Sequence, residues 1–140
     1  MNRRIEDKIK DIKTYLEQLS KIKPNTFKEY EKDFKTKAAC ERYFEKIAEA
    51  VVDLAILMIK EKGLPTPEED YEAFETLEKE KIIDSKLAKK LKDMKGMRNI
   101  IAHQYGDVDD ELMYTAVSKE IEDDVKVFLS IINKINKENK

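Results

Sequence analysis

The chain has a single histidine, a single cysteine, no tryptophan, three glycines and three prolines. Each scarcity excludes a class of answer. One cysteine, Cys40, cannot close an intrachain disulfide or build a cysteine-rich metal cage. One histidine cannot supply the paired Glu-x-x-His sets of a dimetal helical bundle, and His103 is preceded three residues earlier by Ile100. No glycine-rich phosphate loop, nucleophile elbow or zinc spacing is present. The longest apolar-rich run, "IAEAVVDLAILMI" at 47–59, spans 13 residues and carries Glu49 and Asp53. It is too short and too charged to cross a bilayer. The opening "MNRRIEDKIK" lacks the apolar stretch of a secretory signal, so the expectation is a cytoplasmic protein with no membrane partner. The formal net charge of −2 gives no global attraction for nucleic acid.

What is present is charge and periodic apolarity, each 41% of the residues. That mixture, with little glycine or proline, favours long amphipathic helices over a sheet. At 140 residues the chain suits one domain, taken as 1–140, rather than two.

Ile5, Ile9, Ile12, Leu16 and Leu19 step by three and four and predict a first helix over 2–22, ended by Pro24. Asn25 or Thr26 can cap a second and longest helix over 27–62, whose first turns place Phe27, Tyr30 and Phe34 on one face. From Ala38 this helix is apolar on most sides, except for a row Glu41, Glu45, Glu49 and Asp53. The bland reading of that row is solvation or pairing with lysines. Glu41 and Arg42 can bind across a bundle seam, or serve as ordinary surface charge. Gly63 stops the helix. A short helix over 68–80 carries Tyr71, Phe74 and Leu77. Asp84 or Ser85 caps the next, with Leu87, Ala88, Leu91, Met94 and Met97 toward the core. The last helix runs over 110–137 on the stripe Leu112, Val117, Ile121, Val125, Phe128, Ile132 and Ile135. The predicted fold is all-α: an up-and-down four-helix bundle with one extra short helix.

Chemistry concentrates in "MRNIIAHQYGD" at 97–107. A lone histidine beside an apolar helix is more often structural than catalytic. Here its neighbours are Arg98, Asn99 and Tyr105, all able to bind phosphate or place a proton donor. Arg98 and Tyr105 are two turns apart and share a face of a continuous helix. Arg98 and His103 are about 140° apart, so convergence needs a turn near Ala102 to Gly106. The flanking charge is asymmetric. Residues 79–98 hold eight Lys or Arg against three acids, and 106–124 hold one Lys against eight acids. The bland reading is two solvated faces that pair across the bundle. The functional reading is a basic approach for RNA phosphates beside an acidic surface for a basic partner.

The reaction this set suits is RNA cleavage without a metal. A 2′-hydroxyl attacks the adjacent phosphate, the leaving 5′-oxygen takes a proton, and a cation holds the charge building on phosphorus. Histidine suits the proton roles and arginine the phosphate. One histidine per chain makes a twofold dimer, which supplies two copies of the motif, part of the expectation.

The stretch "RNIIAHQY" resembles the arginine, polar residue, spacer, histidine, x, tyrosine motif of the HEPN superfamily, in its HepT-like toxin variant. "AACERYFEKIAEAVVDLAILMIKEKGLPTP" is similar to that family's long second helix, and "FETLEKEKIIDSKLAKKLKDMKGMRNIIAHQYGDVDDELMY" to the segment around its active site. The resemblance implies a homodimeric, metal-independent ribonuclease with no cofactor, acting as the toxin of a toxin–antitoxin pair. It implies Arg98 and His103 as the catalytic pair, Asn99 as the supporting polar residue, and Tyr105 as the AMP acceptor; the expectation is that Tyr105 contacts RNA or is that acceptor. The implied partner is an MNT-type nucleotidyltransferase antitoxin that transfers the AMP. The alternative expectation is a catalytically silent, nucleotide-binding helical module that docks such an enzyme.

Overall fold

The structure, a computed structural model, describes residues 2–103 and 109–138, with the side chains of Ala102 and His103 excepted. Seven α-helices are described: α1 Arg3–Ile22, α2 Phe27–Lys32, α3 Phe34–Glu61, α4 Tyr71–Lys79, α5 Ser85–His103, α6 Asp110–Thr115 and α7 Ile121–Glu138. A π-helical turn, Ala116–Glu120, joins α6 to α7.

The long elements alternate in direction. Lys8 lies 3.5 Å from Asp53 and Asn2 donates to Glu61 at 2.8 Å, so α1 and α3 run antiparallel. Arg98 bonds to Glu49, while Lys95 lies beside Val52 and Asp53, which sets α5 antiparallel to α3. Lys23 pairs with Glu122 at 3.6 Å and Asn2 with Asn136 at 2.9 Å, so α7 opposes α1. This is the expected up-and-down four-helix bundle. The expectation of one extra short helix becomes two, α2 and α4, while short α6 runs on through the π turn into α7 as part of the expected last helix.

The first stripe behaves as its spacing requires: Ile5, Ile9, Ile12, Leu16 and Leu19 are all buried. Asn2 caps this helix by accepting from the backbone N–H of Arg4 and Ile5. Thr26 caps α2 by accepting from Glu29 N–H at 3.2 Å. Gly63 adopts φ +70°, a left-handed geometry that glycine takes at no steric cost, and ends α3. Asp84 caps α5 through Leu87 N–H at 2.8 Å.

Two expectations are corrected. The single helix over 27–62 is broken at Asp33, whose backbone is extended (φ −106°, ψ 98°). Its carboxylate caps α3 by accepting from Lys35 N–H, Thr36 N–H and the Thr36 hydroxyl. The periodicity of Phe27, Tyr30 and Phe34 therefore does not cross the break. Tyr30 is fully buried, whereas Phe34 is 76% exposed.

The second correction is in the last helix. Leu112 is exposed and Met113 is buried in its place. Core positions Met113, Val117, Ile121 and Val125 recur every four residues. Each such step overshoots one α-helical turn by about 40°. The π turn, in which Ile121 N–H bonds Ala116 O five residues back, absorbs the drift. The loop after α1 holds this wide turn. Lys23 Nζ donates to the Ser118 carbonyl, and the Tyr114 hydroxyl donates to Pro24 O at 3.1 Å.

The core is one continuous cluster in which Phe44, Leu54, Met58, Phe74, Leu91 and Phe128 are among the most enclosed side chains. Phe74 and Phe128 meet edge to face with centroids 6.3 Å apart. The buried polar side chain, Asn136, accepts from Asn2 N–H at 2.9 Å and donates to Asn2 O at 3.2 Å. It thereby fastens the start of α1 to the end of α7. No helix among the described residues is long and apolar enough to cross a membrane.

Candidate functional site

The second half of α5 brings Lys95, Arg98 and Asn99 to the seam between α3 and α4. Lys95 and Asn99 are four residues apart, hence neighbours on one helix face. Asn99 Oδ1 accepts from Lys95 Nζ at 2.9 Å and from Arg98 Nη1 at 3.2 Å. One amide oxygen thus holds two cations side by side. Lys95 also lies 3.5 Å from Asp70, at the start of α4, and its side chain is only 12% exposed.

Arg98 Nη2 donates to Glu49 Oε1, across to α3. Its side chain is 22% exposed, and its Nε is buried with no acceptor among the described residues. A guanidinium is planar, with its donors in a fixed fork. Gripping one terminal nitrogen from α3 and the other from Asn99 therefore sets the direction of the whole group. A polar cavity of about 170 Å³ opens beside it, lined by Glu49, Val52, Asp53, Asp70, Lys95 and Arg98. Two cations, Lys95 and Arg98, face three carboxylates here, Glu49, Asp53 and Asp70, of which Asp53 also meets Lys8 of α1.

The structure brings two of the four expected site residues together, Arg98 and Asn99. Helix α5 reaches His103, about 7.5 Å along the axis beyond Arg98. The side chain of His103, the whole of Tyr105 and the expected break at Gly106 lie outside the described residues. On the far side the chain resumes with Asp109, which caps α6 through Glu111 N–H and Leu112 N–H. Asp110 pairs with Lys37 of α3 at 2.7 Å. That pair, with the tilted contact of Tyr114 on Tyr30 at 5.3 Å between ring centroids, anchors α6.

Three residues of the seam, Glu49, Lys95 and Asp70, were not among the expected site residues. Glu49 carried a signal: it is polar in the most apolar part of the longest helix. The four-residue row it belongs to does not share one fate. Asp53 pairs with Lys8, Glu45 lies 4.0 Å from Arg42, and Glu49 binds the motif arginine. Lys95 was one of eight cations in a basic run, with nothing in its spacing to separate it from the rest.

Among the described residues the bland reading of the charge runs holds for one pair across the two runs, and a second lysine of the basic run pairs with the short helix α4 instead. Lys90 of the basic run meets Asp124 of the acidic one at 3.4 Å, and Lys92 meets Glu75 at 3.4 Å. Burial and the nearby Asp110 raise the carboxyl of Glu41 above its ordinary range. Burial also pushes the Cys40 thiol up to about 11, so it packs as a small apolar group rather than a nucleophile. Among the described residues no group of three or more potential metal ligands is gathered.

Comparison with known proteins agrees with this arrangement. The chain is 28% identical over 114 residues to a protein named tRNA nuclease HepT from Aphanizomenon flos-aquae, covering 81% of this chain and 78% of that one. It is 25% identical over 132 residues to one named mRNA nuclease HepT from Shewanella oneidensis, covering 94% and 98%. Its fold superposes with a TM-score of 0.88 on a tri-AMPylated HEPN toxin from Shewanella oneidensis solved in complex with an MNT antitoxin, at 25% identity and covering 96% and 99% of the two chains. The family described as ribonuclease HepT-like matches residues 5–132, and with Arg98, Asn99 and His103 carried on one helix of an all-α bundle, the chain belongs to the HepT-like family.

Proposed function

We propose that this protein is a metal-independent endoribonuclease, the toxin of a toxin–antitoxin pair, working as a homodimer in the cytoplasm. The observation that carries the reading is Arg98. It is held by Glu49 and Asn99 with its guanidinium edge at a polar cavity, a turn and a half before His103 on α5.

In this reading Arg98 stabilises the charge that builds on the scissile phosphate. His103 moves the proton. The 2′-oxygen bonds to phosphorus as the bond to the 5′-oxygen breaks, leaving a cyclic phosphate and a 5′-hydroxyl. Asn99 supports Arg98 by accepting from its Nη1. Tyr105 contacts the RNA and is the AMP acceptor. An MNT-type nucleotidyltransferase antitoxin joins the tyrosine oxygen to the α-phosphate of ATP and releases pyrophosphate. The added AMP places bulk and negative charge where RNA must enter.

The test is cleavage of RNA in EDTA. Wild-type protein is expected to cleave, and folded Arg98→Ala and His103→Ala proteins are not. Undiminished cleavage by His103→Ala overturns the mechanism. Coexpression with the nucleotidyltransferase is expected to add an AMP-sized mass that is absent from Tyr105→Phe.

A further inference from the structure

The chain has four arginines: Arg3, Arg4, Arg42 and Arg98. Arg3 and Arg4 open α1, at the end of the bundle where Asn2 meets Glu61 and Asn136. Arg42 stands on α3 and Arg98 on α5, where it reaches α3 through Glu49, and their states differ. Arg98 is gripped by Glu49 and Asn99 and is mostly covered. The Arg42 side chain is 64% exposed, and its ion pair among the described residues is a loose 4.0 Å approach to Glu45.

Position on the helix gives Arg42 a direction. It precedes Glu49 by seven residues, which falls only about 20° short of two full turns. The two therefore lie on one face of α3, the face that Glu49 presents to Arg98. Along the axis Arg42 stands about 10.5 Å from Glu49, toward the start of α3. Because α5 runs antiparallel, its course from Arg98 to His103 goes the same way. Arg42 thus comes level with the catalytic end of α5, on the neighbouring helix. Exposed Lys35 stands a further two turns along the same line.

Glu45 keeps Arg42 on this face without neutralising it, since a surface pair at that distance contributes little. We propose that Arg42 is a second RNA-binding cation, which takes a phosphate neighbouring the one held by Arg98. This rests on the ribonuclease reading and adds a binding residue to it. A guanidinium suits the task because its fork matches phosphate and its charge persists at any working pH. Arg98, already committed to Glu49 and to the reacting phosphate, cannot also hold the flanking strand.

The experiment measures binding, so that it does not depend on turnover. The probe is a single-stranded RNA with methylated 2′-hydroxyls, which cannot be cleaved, titrated at several salt concentrations. Arg42→Gln is expected to weaken binding about tenfold and to flatten the slope of log K against log salt by about 0.7, the share of one phosphate contact on a single strand. Arg42→Lys is expected to keep the slope and recover part of the affinity. Arg3→Gln, the same charge loss at the other end of the bundle, is expected to change affinity less than twofold. On a cleavable RNA the loss in Arg42→Gln is expected to appear mainly in KM. An unchanged slope and affinity in Arg42→Gln overturns the proposal, as does an equal loss in Arg3→Gln. Intact RNA binding with weakened capture of the nucleotidyltransferase assigns Arg42 to the protein partner instead. Failure of the ribonuclease reading looks different: wild-type protein leaves cleavable RNA whole in EDTA.

Discussion

At the scale of single residues the site depends on one acid that aims one base. Glu49 lies in the most apolar stretch of α3, yet its carboxylate accepts from Arg98. Removing it leaves Asn99 as the remaining grip on that guanidinium among the described residues. Glu49→Ala is therefore expected to lower single-turnover cleavage by about 10²-fold, the size of effect that follows from misplacing a reacting group by an ångström. Circular dichroism should show the fold retained. Cleavage at the wild-type rate would mean that Arg98 finds its position unaided. Glu41 shows a cost of the same helix. Its carboxyl is raised by burial and by Asp110, with Lys37 opposing. A raised acid binds its proton more tightly in the folded state, so its ionisation opposes folding. That penalty is full above the folded pKa, shrinks as pH falls through it, and is gone below the ordinary value of 4.5. Glu41→Gln is accordingly expected to raise the melting temperature at pH 7, with the gain vanishing near pH 4. A gain that does not change with pH would place its origin elsewhere.

At the scale of elements, the two irregularities in the long helices have opposite characters. The break at Asp33 is local and made by one side chain. Asp33→Ala removes the acceptor for Lys35 and Thr36 and is expected to cost about 1 kcal/mol in urea unfolding, as lost N-caps do. The wide turn at Ala116–Glu120 answers to tertiary packing. It inserts what amounts to one extra residue between Met113 and Ile121, both of which must face the core. Deleting exposed Lys119 is expected to convert the turn to plain α-helix with the register of Ile121, Val125 and Phe128 kept. Deleting exposed Ser130 rotates every later side chain by about 100° and should unfold the end of α7. Helical content and melting temperature of the two deletions decide this. Equal damage from both would refute the role given to the wide turn.

At the scale of the whole molecule, the bundle is fastened where its ends meet. Asn136 satisfies both backbone groups of Asn2 from inside the core. Asn136→Leu takes the acceptor from the half-buried Asn2 N–H, while Asn2 O keeps Glu6 N–H, and is expected to destabilise by about 1 kcal/mol in chemical unfolding. The proposed chemistry belongs toward the other end. There the capped entry to α6 is tied to α2 and α3 through Lys37–Asp110 and the tilted Tyr30–Tyr114 contact. Light scattering is expected to give twice the 16.5 kDa chain mass, since each chain carries one histidine. A strict monomer that still cleaves RNA would remove the dimer from the mechanism.

The amino-acid sequence by itself determined most of the helices, the buried stripe of α1 and the stop at Gly63, and narrowed two caps to Asn25 or Thr26 and to Asp84 or Ser85, from which the structure takes Thr26 and Asp84. These follow from local rules: helical period, side chains that reach the next turn's N–H groups, and a backbone that turns left-handed without a Cβ. Only the tertiary structure decided that Glu49, rather than Glu41, Glu45 or Asp53, meets Arg98. The four share one chemistry and drift about 40° around the helix at each step, so they fan across some 120°, and only the packing of α5 against α3 singles out one. Leu112 and Met113 are a different case: Leu112 lies about 140° from Val117 on a continuous helix, so period already favours Met113, and the tertiary structure added only the wide turn that brings Met113 into line with Ile121.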